Sequence, residues 1–291
     1  MKSTFHCIPC HVNHIYRVIS GLPCDDTLKL NILQEVLPYI TRNYPAPPDC
    51  AYEMYRIIRE RTGIKDPFAK IKKQSNKRMM ALVPDLRKLL SAGDTLQKAL
   101  QIALVANIID HGIGNVEYAH NNVVNVVKLV TECKVPRDFY AHFRKSVHSS
   151  QRILYIADNA GEIVADKLLV ECLPKDKVIF AVRGGPVIND ATIEDAHSIG
   201  LDTIVPVITT GDQTPGINLT RCSKDFLYEL SQADMVILKG QGNFETMIDA
   251  SLEGIAKKGL KMFFLFKVKC LPVAHVTHKK IGDSAFIMRK L

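Results

Sequence analysis

Short apolar runs alternate with helix-like segments through the second half of the chain, and this pattern constrains the fold more than any other feature. Five runs predict strands, at 152–158, 177–183, 202–208, 233–240 and 261–268. Buried strands separated by helices favour a parallel sheet covered on both faces. With right-handed crossovers the sheet is doubly wound and Rossmann-like. The predicted class is therefore α/β.

In the first half, apolar residues recur at the three- and four-residue spacing of an α-helix, and no segment predicts a strand. One amphipathic helix is expected after an N-cap at Asp25 or Asp26. A second is expected to begin at Asp49 as the N-cap and to end at Gly63. The predicted organisation is a mainly helical domain followed by a Rossmann-like α/β domain: residues 1–148 and 149–291.

The net charge of +8 lies entirely in the first half, with 21 Lys and Arg against 13 Asp and Glu up to residue 148 and 17 against 17 afterwards. A basic half suits anionic partners such as nucleic acid or phosphorylated metabolites, or forms a solvated face. The densest basic run, 70–78, has Phe68 as an aromatic neighbour, and the chain has no Trp. Because base stacking needs aromatic side chains, we expect a solvated face there and no nucleic-acid partner.

No segment has the roughly 18 to 20 uninterrupted apolar residues that a membrane span needs. Polar residues interrupt the first 18 residues, so they do not predict a signal peptide. We therefore expect a cytoplasmic protein without membrane association. Most of its eight cysteines are expected to be buried thiols, because a chain this long needs no disulfide framework.

Polar side chains gather where four of the five predicted strands end, which is where open α/β sheets bind ligands. Each Asp or Asn alone could be a helix cap. Helix caps alone would not explain why arginine and lysine also occur at these strand ends. A single site shared by the strand ends is therefore the better interpretation. The candidates are Asp158, Asn159, Glu162, Arg183, Asn189, Asp190, Lys239, Asn243, Glu245 and Lys267.

The residue types suggest metal-assisted phosphoryl hydrolysis. Carboxylate and amide oxygens suit magnesium or manganese, and arginine and lysine suit phosphate. A bound metal would polarise a phosphoryl oxygen and lower the pKa of an attacking water, while Lys239 and Arg183 would offset charge in the transition state. The fingerprints of dinucleotide sites, P-loops and nucleophile elbows are missing from the sequence.

A helix of the first half is a further candidate for this site. Asn107 and Asp110 lie three apart, on one face of an otherwise apolar segment. Either they support the site, or Asp110 simply occupies the last turn before Gly112.

Four strings together resemble the damage-control phosphatases, formerly domain of unknown function 89. They are DNAGE at 158–162, RGGPVINDAT at 183–192, KGQGNFE at 239–245 and NIIDHG at 107–112. With Cys7 and Cys10 included, the likeness covers essentially the whole chain and is greatest to the stand-alone prokaryotic subfamily with an N-terminal C-x-x-C.

The resemblance implies a helical N-terminal domain, a Rossmann-like domain and a phosphatase that uses manganese, nickel, cobalt or magnesium. It implies metal ligands at Asp158, Asn159 and Asp190, and phosphate contacts at Lys239 and, less specifically, at Arg183 and Lys267. The implied substrates are small damaged or surplus phosphometabolites, such as sugar phosphates or nucleotides. The alternatives are a nucleotide-binding module and a carboxyl methyltransferase that uses S-adenosylmethionine, although no glycine-rich cofactor loop supports the latter.

Cys7 and Cys10 form a C-x-x-C motif among three histidines, His6, His11 and His14. C-x-x-C is half of a zinc site, but the chain has no second copy of it. Three interpretations stay open: a second metal site or support for catalysis, a redox-sensitive disulfide, and structural thiols.

Overall fold

The structure is a computed structural model that describes residues 1–91, 93–106 and 126–291. Among these residues, seven helices precede the first strand. They are α1 (Cys7–Ser20), α2 (Asp26–Ile40), α3 (Pro48–Thr62), α4 (Ala69–Leu90), α5 (Thr95–Ala106), α6 (Val126–Glu132) and α7 (Arg137–Ser149).

Strands and helices alternate in the remainder of the chain. They are β1 (Ile153–Ile156), α8 (Glu162–Glu171), β2 (Val178–Val182), α9 (Ile193–Ser198), β3 (Val207–Thr209), α10 (Lys224–Gln232), β4 (Met235–Lys239), α11 (Gln241–Met247), β5 (Lys261–Lys267), α12 (Leu271–Thr277) and β6 (Ser284–Lys290). One sheet has the order β3-β2-β1-β4-β5-β6. Its first five strands are parallel and β6 is antiparallel to β5. The predicted α/β class with a mainly parallel sheet is confirmed.

Two strands differ from the prediction. The third was expected at 202–208, but the backbone forms a turn there, in which the N–H groups of Ile204 and Val205 donate to the carbonyl of Leu201 over 3.0 and 3.2 Å. Strand β3 therefore begins only at Val207. Strand β6 was not predicted, because its half-exposed side chains give it neither a buried apolar run nor a regular alternation.

The predicted helix ends were correct at two places and wrong at one. The side chain of Asp25 accepts the N–H of Leu28 over 2.8 Å as the N-cap of α2. Gly63 ends α3 in the left-handed region, with φ 69°. Asp49, however, lies inside α3, and its carboxylate accepts from Arg221 over 2.9 Å instead of capping the helix.

The helices cover the sheet and build three hydrophobic cores. Helices α4 to α8 pack on one face of the sheet, and α10 to α12 pack on the other. Helices α1 to α3 form a third core, into which Val187 inserts from the segment after β2. The helical segment before residue 150 therefore contributes to two cores.

This topology positions the site. The strand order reverses between β1 and β4, and the crevice outside the carboxyl ends of such neighbouring strands is where doubly wound sheets bind ligands. Within the described residues, no helix combines the length and apolar character needed to cross a membrane.

Candidate active site

Asp158 and Asn159 lie just beyond β1, separated from it by Ala157, and are almost fully buried. Gly240, the residue after β4, lies against the Asp158 carboxylate so closely that a Cβ atom there would be 2.0 Å from Asp158 Cγ. Its φ of 82° is in the region that favours glycine. The Gly240 backbone thus fixes the position of the Asp158 side chain.

The Asn159 amide has a defined orientation. Its Nδ2 donates to Asp158 Oδ2 over 2.7 Å and to Glu162 Oε2 over 3.4 Å. Both donor hydrogens are therefore turned toward carboxylates. The carbonyl oxygen, Oδ1, is left as the atom that can bind a cation.

Asp190 comes to the same place from the segment after β2. An isolated bridge pairs the backbones of Asn159 and Asp190, and the N–H of Ala191 donates to the Asp158 carbonyl over 2.8 Å. These backbone bonds hold Asp158, Asn159 and Asp190 together. The strand-end prediction correctly anticipated that these three residues lie together.

Arg183 lies behind this group and has other partners than the expected phosphate. Its side chain is 1% exposed, and its Nε donates to Asp190 Oδ2 over 2.6 Å. One terminal nitrogen donates to Asn243 Oδ1 over 3.0 Å and lies 3.9 Å from Asp158 Oδ1, and the other donates to the Gly216 carbonyl over 2.9 Å. All sides of the guanidinium are engaged, so Arg183 organises the carboxylates from within the protein.

Lys239 also differs from its expected role at the phosphate. Its side chain is completely buried, and its ammonium contacts Glu162 and lies 2.6 Å from Asp166 Oδ1 and 2.7 Å from the carbonyl of Ala103. Burial acts to lower the pKa of Lys239, but the two carboxylates outweigh it and raise that pKa above its ordinary value. Burial also raises the pKa of Asp166 to about 7. Lys239 therefore supports Glu162, which in turn accepts from Asn159.

A cavity of about 160 Å³ opens in front of these oxygens and is lined by Asp158, Asn159 and Asp190. Helix α11 contributes Gln241 and Glu245 to its wall. Helix α1 and the residue before it contribute further side chains: His6, Cys7, Cys10, His11, His14 and Arg17. Four prolines also line the cavity: Pro47, Pro48, Pro215 and Pro272.

The other expected residues are dispersed around this cavity. Asn243 is buried and faces inward, where its Nδ2 donates to the Ala157 carbonyl over 3.1 Å. Asn189 is 1% exposed, and both polar atoms of its side chain are without a hydrogen-bond partner in the described part of the chain. Lys267 is half-buried at the end of β5 and is not part of the cavity wall. Two expected residues, Asn107 and Asp110, lie outside the described residues.

The C-x-x-C motif forms the first turn of α1 and faces the same cavity as the carboxylates. Both sulfurs are free thiols. Burial raises the pKa of Cys10, and the Glu245 carboxylate adds to that rise, so the thiol is less readily ionised than a free cysteine.

Across residues 1–91, 93–106 and 126–291, no three His, Cys, Asp or Glu side chains converge as a metal site. Of the eight cysteines, only Cys50 is fully buried, so the expectation that most are buried was wrong.

Several residues at the site were not among the candidate site residues. Lys269, two residues beyond the expected Lys267, lines the cavity, as does Arg17. Asn76, inside the basic run 70–78, is buried on α4 and accepts the N–H of Gly161 over 2.6 Å. Only part of the run is the expected exposed face, because Lys72 and Ser75 are buried as well, and Lys72 pairs with Asp66 over 3.1 Å and with Asp195 over 3.0 Å. The lysine-rich composition gave no sign of these buried side chains.

Residues 4–285 match the model of the damage-control phosphatase ARMT1-like domain family. The chain belongs to this family. It is 29% identical over 284 residues to damage-control phosphatase PH1575 of Pyrococcus horikoshii, covering 94% of this chain and 93% of that protein. It is 29% identical over 292 residues to a damage-control phosphatase of Archaeoglobus fulgidus, covering 97% and 98%.

A solved structure has the same fold. The crystal structure of the DUF89 family protein PH1575 superposes with a TM-score of 0.83 at 26% identity, covering 99% of each chain. The family resemblance inferred from the four motifs is confirmed.

Proposed function

We propose that this protein is a phosphatase that hydrolyses phosphomonoesters of small metabolites with a divalent cation held by Asp158, Asn159 and Asp190. The observation that carries the proposal is the orientation of the Asn159 amide. Because Nδ2 donates to Asp158 and Glu162, Oδ1 is a third oxygen beside two carboxylates at the wall of one cavity. The relatives named damage-control phosphatases support this reaction class.

The donor set fits a hard divalent ion such as manganese, magnesium, cobalt or nickel, because two carboxylates and an amide supply oxygen only. When bound, such an ion polarises a phosphoryl oxygen and lowers the pKa of a coordinated water. Arg183 offsets the mutual repulsion of Asp158 and Asp190 from behind, through ion-pair distances of 3.9 and 2.6 Å. Arg183 therefore supplies positive charge to both carboxylates before a cation binds.

Lys269 and Arg17 are assigned to the phosphate because both contribute to the cavity wall. Lys239 and Arg183 are completely committed to internal partners and cannot turn toward a substrate without breaking them.

Hydrolysis of p-nitrophenyl phosphate by chelator-treated protein, resupplied with each metal in turn, tests the proposal. We expect no turnover without metal and none in Asp158→Asn or Asp190→Asn, which remove a charge but keep the side-chain shape. Asp249→Asn is the matched control, because Asp249 has a side chain that is 73% exposed and no place in the cavity wall. Full turnover of metal-free protein, or of both site variants, would overturn the assignment.

A further inference from the structure

Glu245 presents a buried carboxyl to the cavity that no step described so far uses. It lies on α11, is 7% exposed and shares the cavity wall with Asp158, Asn159 and Asp190. Gln241 and Glu245, four residues apart, point to the same side of α11. Asn243, between them, points instead to Arg183 in the interior. Helix α11 thus has one structural face and one face toward the cavity.

The hydrogen bonds of Glu245 orient its carboxyl without supplying a charge. Its Oε1 accepts from Gln241 Nε2 over 2.9 Å, and Gln241 Oε1 accepts the backbone N–H of Lys269 over 2.8 Å. The amide is therefore fixed with its donor toward Glu245. In the described part of the chain, no cation lies within 4.0 Å of this carboxylate, whereas Glu162 contacts Lys239.

The surroundings of Glu245 favour its neutral form. The charged or titratable groups that face it are the amino group of Met1, Lys269 beyond β5, Cys10 on α1 and Cys270 before α12. Burial raises the pKa of Glu245 to about 7, against the lowering effects of the Gln241 hydrogen bond, the Met1 amino group and Lys269. A carboxyl of this kind holds a proton near neutral pH and can release it.

We propose that Glu245 is the general acid that protonates the leaving oxygen of the phosphomonoester. The inference rests on the proposed function. As the attacking water forms its bond to phosphorus, the bond between phosphorus and the ester oxygen breaks, and its electron pair stays on that oxygen. The Glu245 proton makes the new O–H bond of the product alcohol. The attacking water releases one proton to solvent and the Glu245 carboxylate regains one from solvent, so water and ester give alcohol and phosphate.

Leaving groups of different basicity separate this role from a structural one. An alkyl phosphate releases a strongly basic alkoxide that needs a proton, whereas p-nitrophenyl phosphate releases a weakly basic phenolate that leaves without one. We expect Glu245→Gln to lower kcat for glycerol phosphate by roughly 100-fold or more, as a lost general acid does, and kcat for p-nitrophenyl phosphate by less than about 5-fold. The exposed Glu253→Gln is the control and should match wild type for both esters.

The wild-type pH profile tests the same inference without any variant. Turnover of the alkyl ester should fall as the pH rises through about 7, where Glu245 loses its proton, and turnover of the aryl ester should lack that fall. Equal losses for both esters in Glu245→Gln, or identical pH profiles in wild type, would overturn the role of Glu245. A wild-type protein that hydrolyses neither ester would instead refute the proposed phosphatase function.

Discussion

Lys239→Met removes the cation that two buried carboxylates share beneath the site. The Lys239 ammonium contacts Glu162 and lies 2.6 Å from Asp166 Oδ1, and all three side chains are at most 1% exposed. Removing one partner of a buried ion pair costs about 3–5 kcal/mol, because the remaining charge is left without a counter-ion. Methionine has a similar length, so little of this loss comes from a cavity. With an unfolding entropy of about 2.1 cal/mol/K per residue, we expect the melting temperature of this 291-residue chain to fall by roughly 5–8 °C.

The loss should depend on pH through Asp166. Burial raises its folded pKa to about 7, above the roughly 3.9 of an unfolded Asp. Such a carboxyl stabilises the fold below its unfolded pKa, and this contribution is lost as the pH rises through the folded pKa. Lys239 lowers the folded pKa, so its removal raises that pKa further. The variant should therefore lose more stability at a pH of about 8.5 than at about 5.5.

Thermal unfolding followed by circular dichroism at the two pH values measures both effects. Lys257→Met is the control, because its ammonium is half-exposed and lies 3.6 Å from Asp234, and such a surface pair contributes about 0–1 kcal/mol. A Lys239→Met midpoint within the range of the control at both pH values would refute the account of the buried network.

Two further variants test how the site is held. In Gly240→Ala the new Cβ would lie 2.0 Å from the Asp158 carboxylate, so we expect the carboxylate to be displaced and turnover to fall roughly 100-fold. Gly254→Ala is the control for backbone strain, because Gly254 has a φ of 72° and open space around its Cβ position. Equal activities of the two variants would contradict the steric argument. Asn76→Ala leaves the N–H of Gly161 without its acceptor. We therefore expect the free energy of unfolding, measured by urea titration, to be about 1–3 kcal/mol lower than in wild type. An unchanged urea midpoint would mean that Asn76 does not stabilise the loop that contains Gly161.

Local signals in the sequence predicted the parts of the fold that depend on neighbouring residues. The Asp25 cap and the Gly63 terminator were identified from the local sequence, because each residue acts within one turn of its own helix. The convergence of Asp158 and Asp190 followed from the parallel order of β1 and β2. Strand β3 was misplaced because an apolar run does not distinguish a short edge strand from the turn that precedes it.

The direction in which a side chain points at a strand end could not be predicted from the sequence. Lys239 is the last residue of β4, and its side chain turns to the face covered by α5 and α8, where it meets the Ala103 carbonyl and Asp166. These partners are 136 and 73 residues away in the chain. The same limit explains why Lys267 was the candidate, although Lys269 is the lysine that lines the cavity. The approach of Cys7 and Cys10 to the carboxylates required the packing of α1, which no local pattern encodes.

The most direct test of the central claim is an anomalous difference map from a crystal soaked with manganese. We expect one strong peak within coordination distance of the Asp158 carboxylate, Asn159 Oδ1 and the Asp190 carboxylate. A manganese ion bound elsewhere in the cavity, or an Asn159 amide with its nitrogen toward the ion, would contradict it.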